Sequence, residues 1–225
     1  MDYYDLHTYS SLTTGENTTD EMIAMARKLG LRGIGVEGLR EKPATEMDMV
    51  SCYIIEAKNP QQLMEEARRY RDSYEVLMVS GGDYEVNRAA CENAMIDVLC
   101  HPGKGRKDSG LDHVCVKAAK ENNVAIEINF REILENYRKR RVRILEGIRR
   151  NVLLCRKFGA PVVTFSGAAT KWGMRAGREL AAVAAMVGME LPDAIASAST
   201  VPQQIVMGNR QRLSGKKWEG VVVNE

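Results

Sequence analysis

The stretch DLHTYSSLTTGE, Asp5–Glu16, opens on the end of the apolar run YYDL and then breaks into polar, turn-forming residues. Such a run reads as a short buried strand that ends in a group of side chains able to do chemistry. Strand side chains alternate, so positions 7 and 9 share one side of the chain. A His-x-His pair there would offer two imidazoles to one metal ion, but this pair is His7 and Tyr9. What the strand end does therefore depends on what the other strands bring beside it.

Outward from this stretch, strand-like and helix-like segments alternate. NTTDEMIAMARKLG carries helix caps and helical apolar spacing, with Gly30 as its stop. LRGIGVE and VSCYIIEA read as strands two and three. NPQQLMEEARRYR is a helix with Asn59 as N-cap and Pro60 in its first turn. YEVLMVSG is strand four, and a short helix over 85–94 leads into strand five, IDVLC. The helix in GLDHVCVKAAKENN, strand six in VAIEINF, one or two helices over 131–158 and strand seven in APVVTFS follow. RAGRELAAVAAMVGM and two shorter pieces complete a helical end. Seven β-then-α units with apolar, parallel-type strands predict a single-domain α/β fold, a distorted TIM-like barrel over residues 1–208. No GxGxxG or phosphate loop follows the first strand, which disfavours a doubly wound sheet. Residues 209–225 are expected to be a mobile, basic C-terminal tail.

Composition narrows the function. No apolar run approaches the ~18–20 residues of a membrane span, and the acidic first residues lack a signal pattern, so a cytoplasmic chain without membrane contact is expected. The 5 cysteines form no CxxC pair and read as buried thiols, not as a zinc or disulfide framework. Residues 1–100 hold 10 Lys/Arg against 18 Asp/Glu, while residues 101–225 hold 22 against 12. That asymmetry hints at a face for a polyanion.

In a parallel barrel, chemistry sits at the C-terminal strand ends. These ends offer Asp5, His7 and Tyr9; Glu37-Gly38; Glu56; Ser80; His101-Pro102-Gly103; Glu127 and Asn129; and Ser166-Gly167-Ala168-Ala169. Their order resembles the polymerase and histidinol phosphatase (PHP) barrel, whose active members hold two or three metals with D-L-H-x-H-S, T-D-H, a Glu, H-P and S-D-A-H. Here Tyr9 replaces the second His, Val36-Glu37-Gly38 replaces T-D-H, and Ser166–Ala169 replaces S-D-A-H. Two-metal hydrolysis needs several His and carboxylate ligands. The chain has only 3 histidines, His7, His101 and His113. No bound metal is expected, with His7, His101 and Glu127 as remnant positions.

A PHP-like barrel without its metals resembles the family of ribonuclease P protein component 3. VAIEINFREIL resembles that family's E-I-x-F-R segment. RRNVLLCRKFGAPVVTFSGAATKWGMRAGREL resembles its N-x-x-L…K…P-V-V-x-S-x-A and L-R-x-P-R-x-L segments, with Met174 and Gly177 for the Leu and Pro. STVPQQIVMGN resembles its closing S-x-x-P-x-x-I-V-x-x-N. The resemblance implies a non-catalytic RNA-binding subunit of an endoribonuclease that removes the 5′ leader of precursor tRNA. It implies that the RNA cleaves with Mg²⁺, that the chain binds no cofactor, and that the partners are the catalytic RNA and, indirectly, precursor tRNA. It also implies a small RRM-like protein partner, paired as a dimer of heterodimers.

The residues themselves place the RNA contacts in three clusters. Lys104, Arg106 and Lys107 lie between glycines in a loop at the barrel mouth. Arg138, Lys139, Arg140, Arg141 and Arg143 follow Arg131, and residues 131–150 hold 8 cations against 3 acids. Successive helix positions turn by about 100°, so these cations cannot share one face. Lys171, Arg175 and Arg178 surround a helix start, where cations oppose the helix dipole. Arg210, Arg212, Lys216 and Lys217 add to the end of the chain, and Trp172 is read as either a base-stacking or a buried indole. With aromatics at 6%, recognition through RNA shape and phosphates is expected. Two readings remain beside this one: a degenerate metal phosphoesterase at His7, His101 and Glu127, and a phosphorylated small-molecule site at Ser166 and Arg175.

Overall fold

The computed structural model describes residues 1–215 and the backbone of 217–218 and 221–222. Seven parallel strands pair in sequence order: β1 (Tyr4–Thr8), β2 (Gly33–Glu37), β3 (Asp48–Ile55), β4 (Val76–Ser80), β5 (Val98–Cys100), β6 (Ala125–Asn129) and β7 (Val162–Phe165). The helices outside them are α1 (Thr19–Lys28), α2 (Pro60–Tyr70), α3 (Tyr84–Cys91), α4 (His113–Glu121), α5 (Phe130–Leu134), α6 (Arg138–Phe158), α7 (Gly177–Met186), α8 (Leu191–Ser197) and α9 (Thr200–Leu213). The expected α/β barrel is thus observed, with one difference: residues 38–47 between β2 and β3 hold no helix.

Local chemistry sets the element ends. Thr18 and Glu21 form a capping box at α1, and Asn59 accepts from the Gln62 amide ahead of Pro60 at α2. The segment 131–158 divides because Asn129 caps α5 and Arg138 takes a left-handed φ of 49° where α6 begins. Gly159 ends α6 in the left-handed conformation.

Alternation divides the core. Leu6, Val50, Cys52, Met78, Val163 and Phe165 fill the barrel interior. Ile55, Leu77, Val79, Leu99, Ile126 and Ile128 face the helices. All five cysteines are buried and free. β1 and β7 share no ladder: a single bridge joins Thr8 to Ala168, and the Tyr9 amide donates to the Ala168 carbonyl at 2.9 Å. The register of β1 shifts between Asp5 and Thr8. That shift lets Leu6 point into the interior while the adjacent His7 also reaches inward, at the mouth.

The N-terminal end of the barrel is closed by α9. Val206 is buried beneath the interior cluster. Three acids at the starts of β3, β4 and β5 meet this helix. Arg210 binds Asp48 at 2.6 Å and Glu75 at 2.6 Å, and Asn209 donates to Asp97 at 2.8 Å. Arg212 donates to Asp72 and to the Arg71 carbonyl. The barrel boundary expected at residue 208 is therefore corrected. Residues 209–213 are helix bound to the barrel base, because Arg210 supplies the only guanidinium that reaches both Asp48 and Glu75 among the described residues. Beyond Gly215, only the backbones of β8 (Lys217–Trp218) and β9 (Val221–Val222), an antiparallel pair, are described. The rest of the expected mobile tail and the Lys216 and Lys217 side chains lie outside the described residues.

Burial would raise both Asp48 and Glu75, but Arg210, joined at Glu75 by Lys42, holds both below the usual carboxylate range. That stabilisation is present above about pH 4 and is lost as pH falls through the depressed values. Arg210→Ala should lower the unfolding free energy by about 1–3 kcal/mol at pH 7. The loss should shrink on acidification below pH ~4, as read by urea denaturation across pH.

Candidate functional site

The C-terminal mouth gathers what the strand ends promised. The shared side of positions 7 and 9 is realised: His7 Nε2 pairs with the Tyr9 hydroxyl at 2.8 Å. His7 Nδ1 pairs with Glu127 Oε1 at 2.6 Å, and Asn129 donates to the same oxygen at 3.0 Å. Nδ1 carries a hydrogen here, because an ionised carboxylate only accepts. Burial alone would raise Glu127, but the charge and hydrogen bond of His7, with His101 and Asn129, hold it below its ordinary value. Asp5 is also buried; its Oδ1 accepts from the Ser166 amide at 3.0 Å, and burial pushes it up to about 6.

His101 directly follows β5 in the left-handed region, at φ 50°, with its ring edge-on to His7 at 5.4 Å. Its Nδ1 pairs with Glu132 Oε1 at 3.0 Å. Burial would lower its pKa, but the Glu132 hydrogen bond and the charges of Glu127 and Glu132 raise it. Glu132 was not singled out in the sequence; its signal was the i+3 spacing from Asn129, whose side chain caps it.

The order hydroxyl–imidazole–carboxylate in Tyr9–His7–Glu127 has the connectivity of a hydrolase triad. The hydroxyl is a phenol whose pKa burial raises further, so it is a poor nucleophile at neutral pH. A metal pair fits no better. Ligand atoms of His7, His101 and Glu127 do lie within 4.8 Å of one another, and Glu127 Oε2 and Asp5 Oδ2 lack partners. Yet both nitrogens of His7 and one of His101 are engaged, and the space for further ligands is filled. At Gly38, φ 74°, an added Cβ would lie 2.8 Å from Thr13 Cγ2. At Gly167, φ 64°, it would strike the Asn129 amide at 2.5 Å. Both glycines hold conformations that side chains rarely adopt. Gly177 is equally constrained, because the Tyr3 ring occupies its Cβ space.

The cations divide into two groups. Arg106 forks onto Asp108 at 2.6 and 2.9 Å and clamps its own loop. Arg141 donates to the Asn136 and Leu134 carbonyls, satisfying the end of α5. Arg131 pairs with Glu135, Lys171 with Glu21, and Arg175 with the Trp172 and Met174 carbonyls while it covers the Phe130 ring. Lys104 is exposed, 4.0 Å from Glu56. Lys107, Arg138, Lys139, Arg140, Arg143 and Arg178 are exposed, with no ion-pair partner among the described residues. Trp172 is 72% exposed beside Lys171, which settles the indole as a surface group. Tyr137, also missed in the sequence, is 71% exposed at the head of α6.

Two outcomes test the mouth. Tyr9→Phe keeps the ring but strands His7 Nε2, and should cost about 1–2 kcal/mol of stability by urea denaturation. The raised His101 value means that its pairing with Glu132 contributes fully below about pH 6.5 and fades as pH rises through the folded-state value. The stability difference between the wild type and Glu132→Gln should therefore be larger at pH 5.5 than at pH 9, both values set to bracket the ordinary histidine range of about 6.5.

The fold and the site can be compared with known proteins. The chain is 40% identical over 215 residues to ribonuclease P protein component 3 of Methanococcoides burtonii, covering 92% of this chain and 88% of that one. It is 36% identical to the Methanosarcina barkeri protein of the same name, covering 99% and 96%. Among solved structures, a chain of an archaeal ribonuclease P with mature tRNA, seen by cryo-EM, superposes with a TM-score of 0.80 at 24% identity over 97% of each chain. A histidinol phosphate phosphatase from Lactococcus lactis, complexed with zinc, L-histidinol and phosphate, shares the fold at a TM-score of 0.55 and 9% identity over 92% and 94%. A family model described as RNase P subunit p30 matches residues 2–214. With that match spanning the barrel from β1 to the end of α9, and with relatives of this identity along its length, the chain belongs to the ribonuclease P protein component 3 (p30) family.

Proposed function

We propose that this chain is a non-catalytic, RNA-binding protein subunit of ribonuclease P that helps the catalytic RNA remove the 5′ leader of precursor tRNA. The observation that carries the reading is the head of α6. Arg138, Lys139, Arg140 and Arg143 are exposed there without ion-pair partners among the described residues. Cations crowded at the positive end of a helix repel one another and oppose its dipole. A structural helix gains nothing from that arrangement, whereas a phosphate backbone neutralises it. The tied cations position the free ones: Arg141 fixes the joint between α5 and α6 from which they project.

The chemistry of cleavage is assigned to the RNA and its Mg²⁺, and the chain is proposed to bind no cofactor of its own. Its contribution is to screen phosphate repulsion and hold the RNA in shape, so the gain should be largest where Mg²⁺ is scarce. The catalytic RNA is the direct partner, precursor tRNA an indirect one, and a small RRM-like subunit the proposed protein partner, in a dimer of heterodimers. No helix among the described residues is long and apolar enough to cross a membrane. That is consistent with the cytoplasmic location proposed.

A reconstituted reaction tests this: catalytic RNA and precursor tRNA at limiting Mg²⁺, with and without the chain. The wild type should accelerate cleavage while remaining silent alone. Replacing Arg138, Lys139, Arg140 and Arg143 by Gln should remove most of the gain. It should also flatten the slope of log affinity against log salt by roughly 3, at about 0.7–0.9 per lost phosphate contact. Tyr9→Phe should leave both unchanged. Hydrolysis of phosphoesters by the isolated chain with Mn²⁺ or Zn²⁺, without effect on the RNA reaction, would instead establish a metal phosphoesterase at the mouth.

A further inference from the structure

A cavity of about 370 Å³ opens between the outer face of β6, the first half of α6 and the loop 102–109. It borders the mouth, since its lining includes Glu127 and Glu132, the partners of His7 and His101. Its floor is aliphatic: Ile126 and Ile128 from β6, Val162 from β7, and Ile148 and Val152 from α6. In a packed barrel, side chains of the covering helix would fill such a space. Here no residue in the first two turns of α6, residues 138–145, is buried.

The face that α6 turns to the cavity changes character along its length. Arg140, Arg143, Gly147, Asn151 and Cys155 recur at helical spacing on this side. The stripe begins with cations at the rim and ends apolar at the floor. Gly147 sits mid-helix, where glycine is disfavoured. Sterics do not demand it: an added Cβ would meet Ser109 at 3.7 and 3.8 Å, an ordinary contact. The missing side chain widens the cavity and does nothing else visible. Asn151 is buried on the wall; its Nδ2 donates to the Ser109 carbonyl at 2.9 Å, and its Oδ1 has no partner. A buried acceptor left unpaired is unfavourable unless something supplies a donor.

The rim is cationic. Lys104, Lys107, Arg140 and Arg143 line it. Three acids belong to the lining and each is paired, Asp108 with Arg106, Glu127 with His7 and Glu132 with His101. A ligand for this site therefore has an anionic end, a flat or compact apolar body, and a hydrogen-bond donor on the edge of that body. The volume falls in the range of about 300–1,000 Å³ typical of small-molecule sites.

We propose that this cavity binds one nucleotide, with its base against the aliphatic floor, an exocyclic amino group at Asn151 and its phosphate among the rim cations. The amino group makes the site selective: adenine, cytosine and guanine carry one, whereas the only base donor of uracil in a nucleotide is its ring N3–H between two carbonyls. The nucleotide has two sources, a free mononucleotide or an unpaired nucleotide extruded from a bound RNA. Only the second rests on the RNA-binding reading above.

The test is a calorimetric titration of the full chain with four probes. These are AMP, UMP, a single-stranded oligoadenylate of about ten nucleotides, and an RNA hairpin whose stem dominates phosphate contact. AMP and the oligoadenylate should bind, with AMP preferred over UMP by about tenfold for the unpaired amino contact. Gly147→Met fills the cavity with a good helix former, so the thermal midpoint should hold or rise. The same variant should weaken AMP and oligoadenylate by at least about tenfold, while hairpin affinity stays within about twofold because phosphates carry it. Competition between oligoadenylate and AMP assigns the site to an unpaired RNA nucleotide; AMP binding without competition assigns it to a free one. If the hairpin fails to bind but AMP binds and is lost in Gly147→Met, the RNA-binding reading falls and the cavity site stands. Absence of saturable AMP binding, or an oligoadenylate indifferent to Gly147→Met, overturns the proposal and leaves the cavity to a protein side chain.

Discussion

The imidazole of His7 is held between Glu127 and Tyr9, and this buried chain of hydrogen bonds ties β1 to β6 across the mouth of a barrel whose backbone does not close. Between β1 and β7 there is one bridge. Side chains do the remaining work: Asp5 accepts the Ser166 amide where a ladder carbonyl would otherwise be. In a low-dielectric interior such a network is strong when complete and unfavourable when a member is missing. Each member also constrains the next, since Asn129 orients Glu127 and leaves room only for glycine at 167. The mouth is a joint, and its members are committed to one another by these hydrogen bonds. The surrounding helices and loops are held in place around this joint.

Outside the mouth, charge gathers on the surface. The exposed cations of α6 stand at a helix start without a side-chain cap, on a residue with left-handed φ, beside an exposed Tyr137. Each feature is locally unfavourable. The buried second half of the helix, with Ile148, Val152 and Cys155 in the core, provides the stability that lets the first half project. Among the described residues, the protein presents unpaired cations on a helix whose exposed tip the core does not need.

Strand order and helix positions were legible in the sequence because periodicity and caps are local. Asn59-Pro60 and the box of Thr18 and Glu21 announce helix starts within a few residues. The shared side of His7 and Tyr9 followed from the period of two. The base of the barrel was not legible: Asn209, Arg210 and Arg212 look like a solvated tail, and their acidic partners lie more than a hundred residues earlier in the chain. The commitment of Arg141 and Arg175 was hidden for another reason. Their acceptors are backbone carbonyls, which every sequence contains. The cavity left only one trace, a glycine in mid-helix at 147.

These ion pairs also change the meaning of the charge asymmetry. The acidic first hundred residues and the basic remainder suggested an acidic half and a basic half. In the fold, part of that difference is internal: Asp48, Glu75 and Asp72 of the acidic segment meet Arg210 and Arg212 of the basic one, and Glu21 meets Lys171. Charge that folds the chain is unavailable to a partner. The surface left to a polyanion is narrower than the count of 22 Lys/Arg after residue 100 implies. On the proposed reading it centres on the head of α6, with Lys104 and Lys107 across the cavity rim. A footprint of this kind favours a partner that curves around a projecting helix over one that lies flat on the barrel. It also predicts that a few residues of α6 dominate the salt dependence, because long-range charge elsewhere is paired or screened beyond about 8–10 Å at working ionic strength.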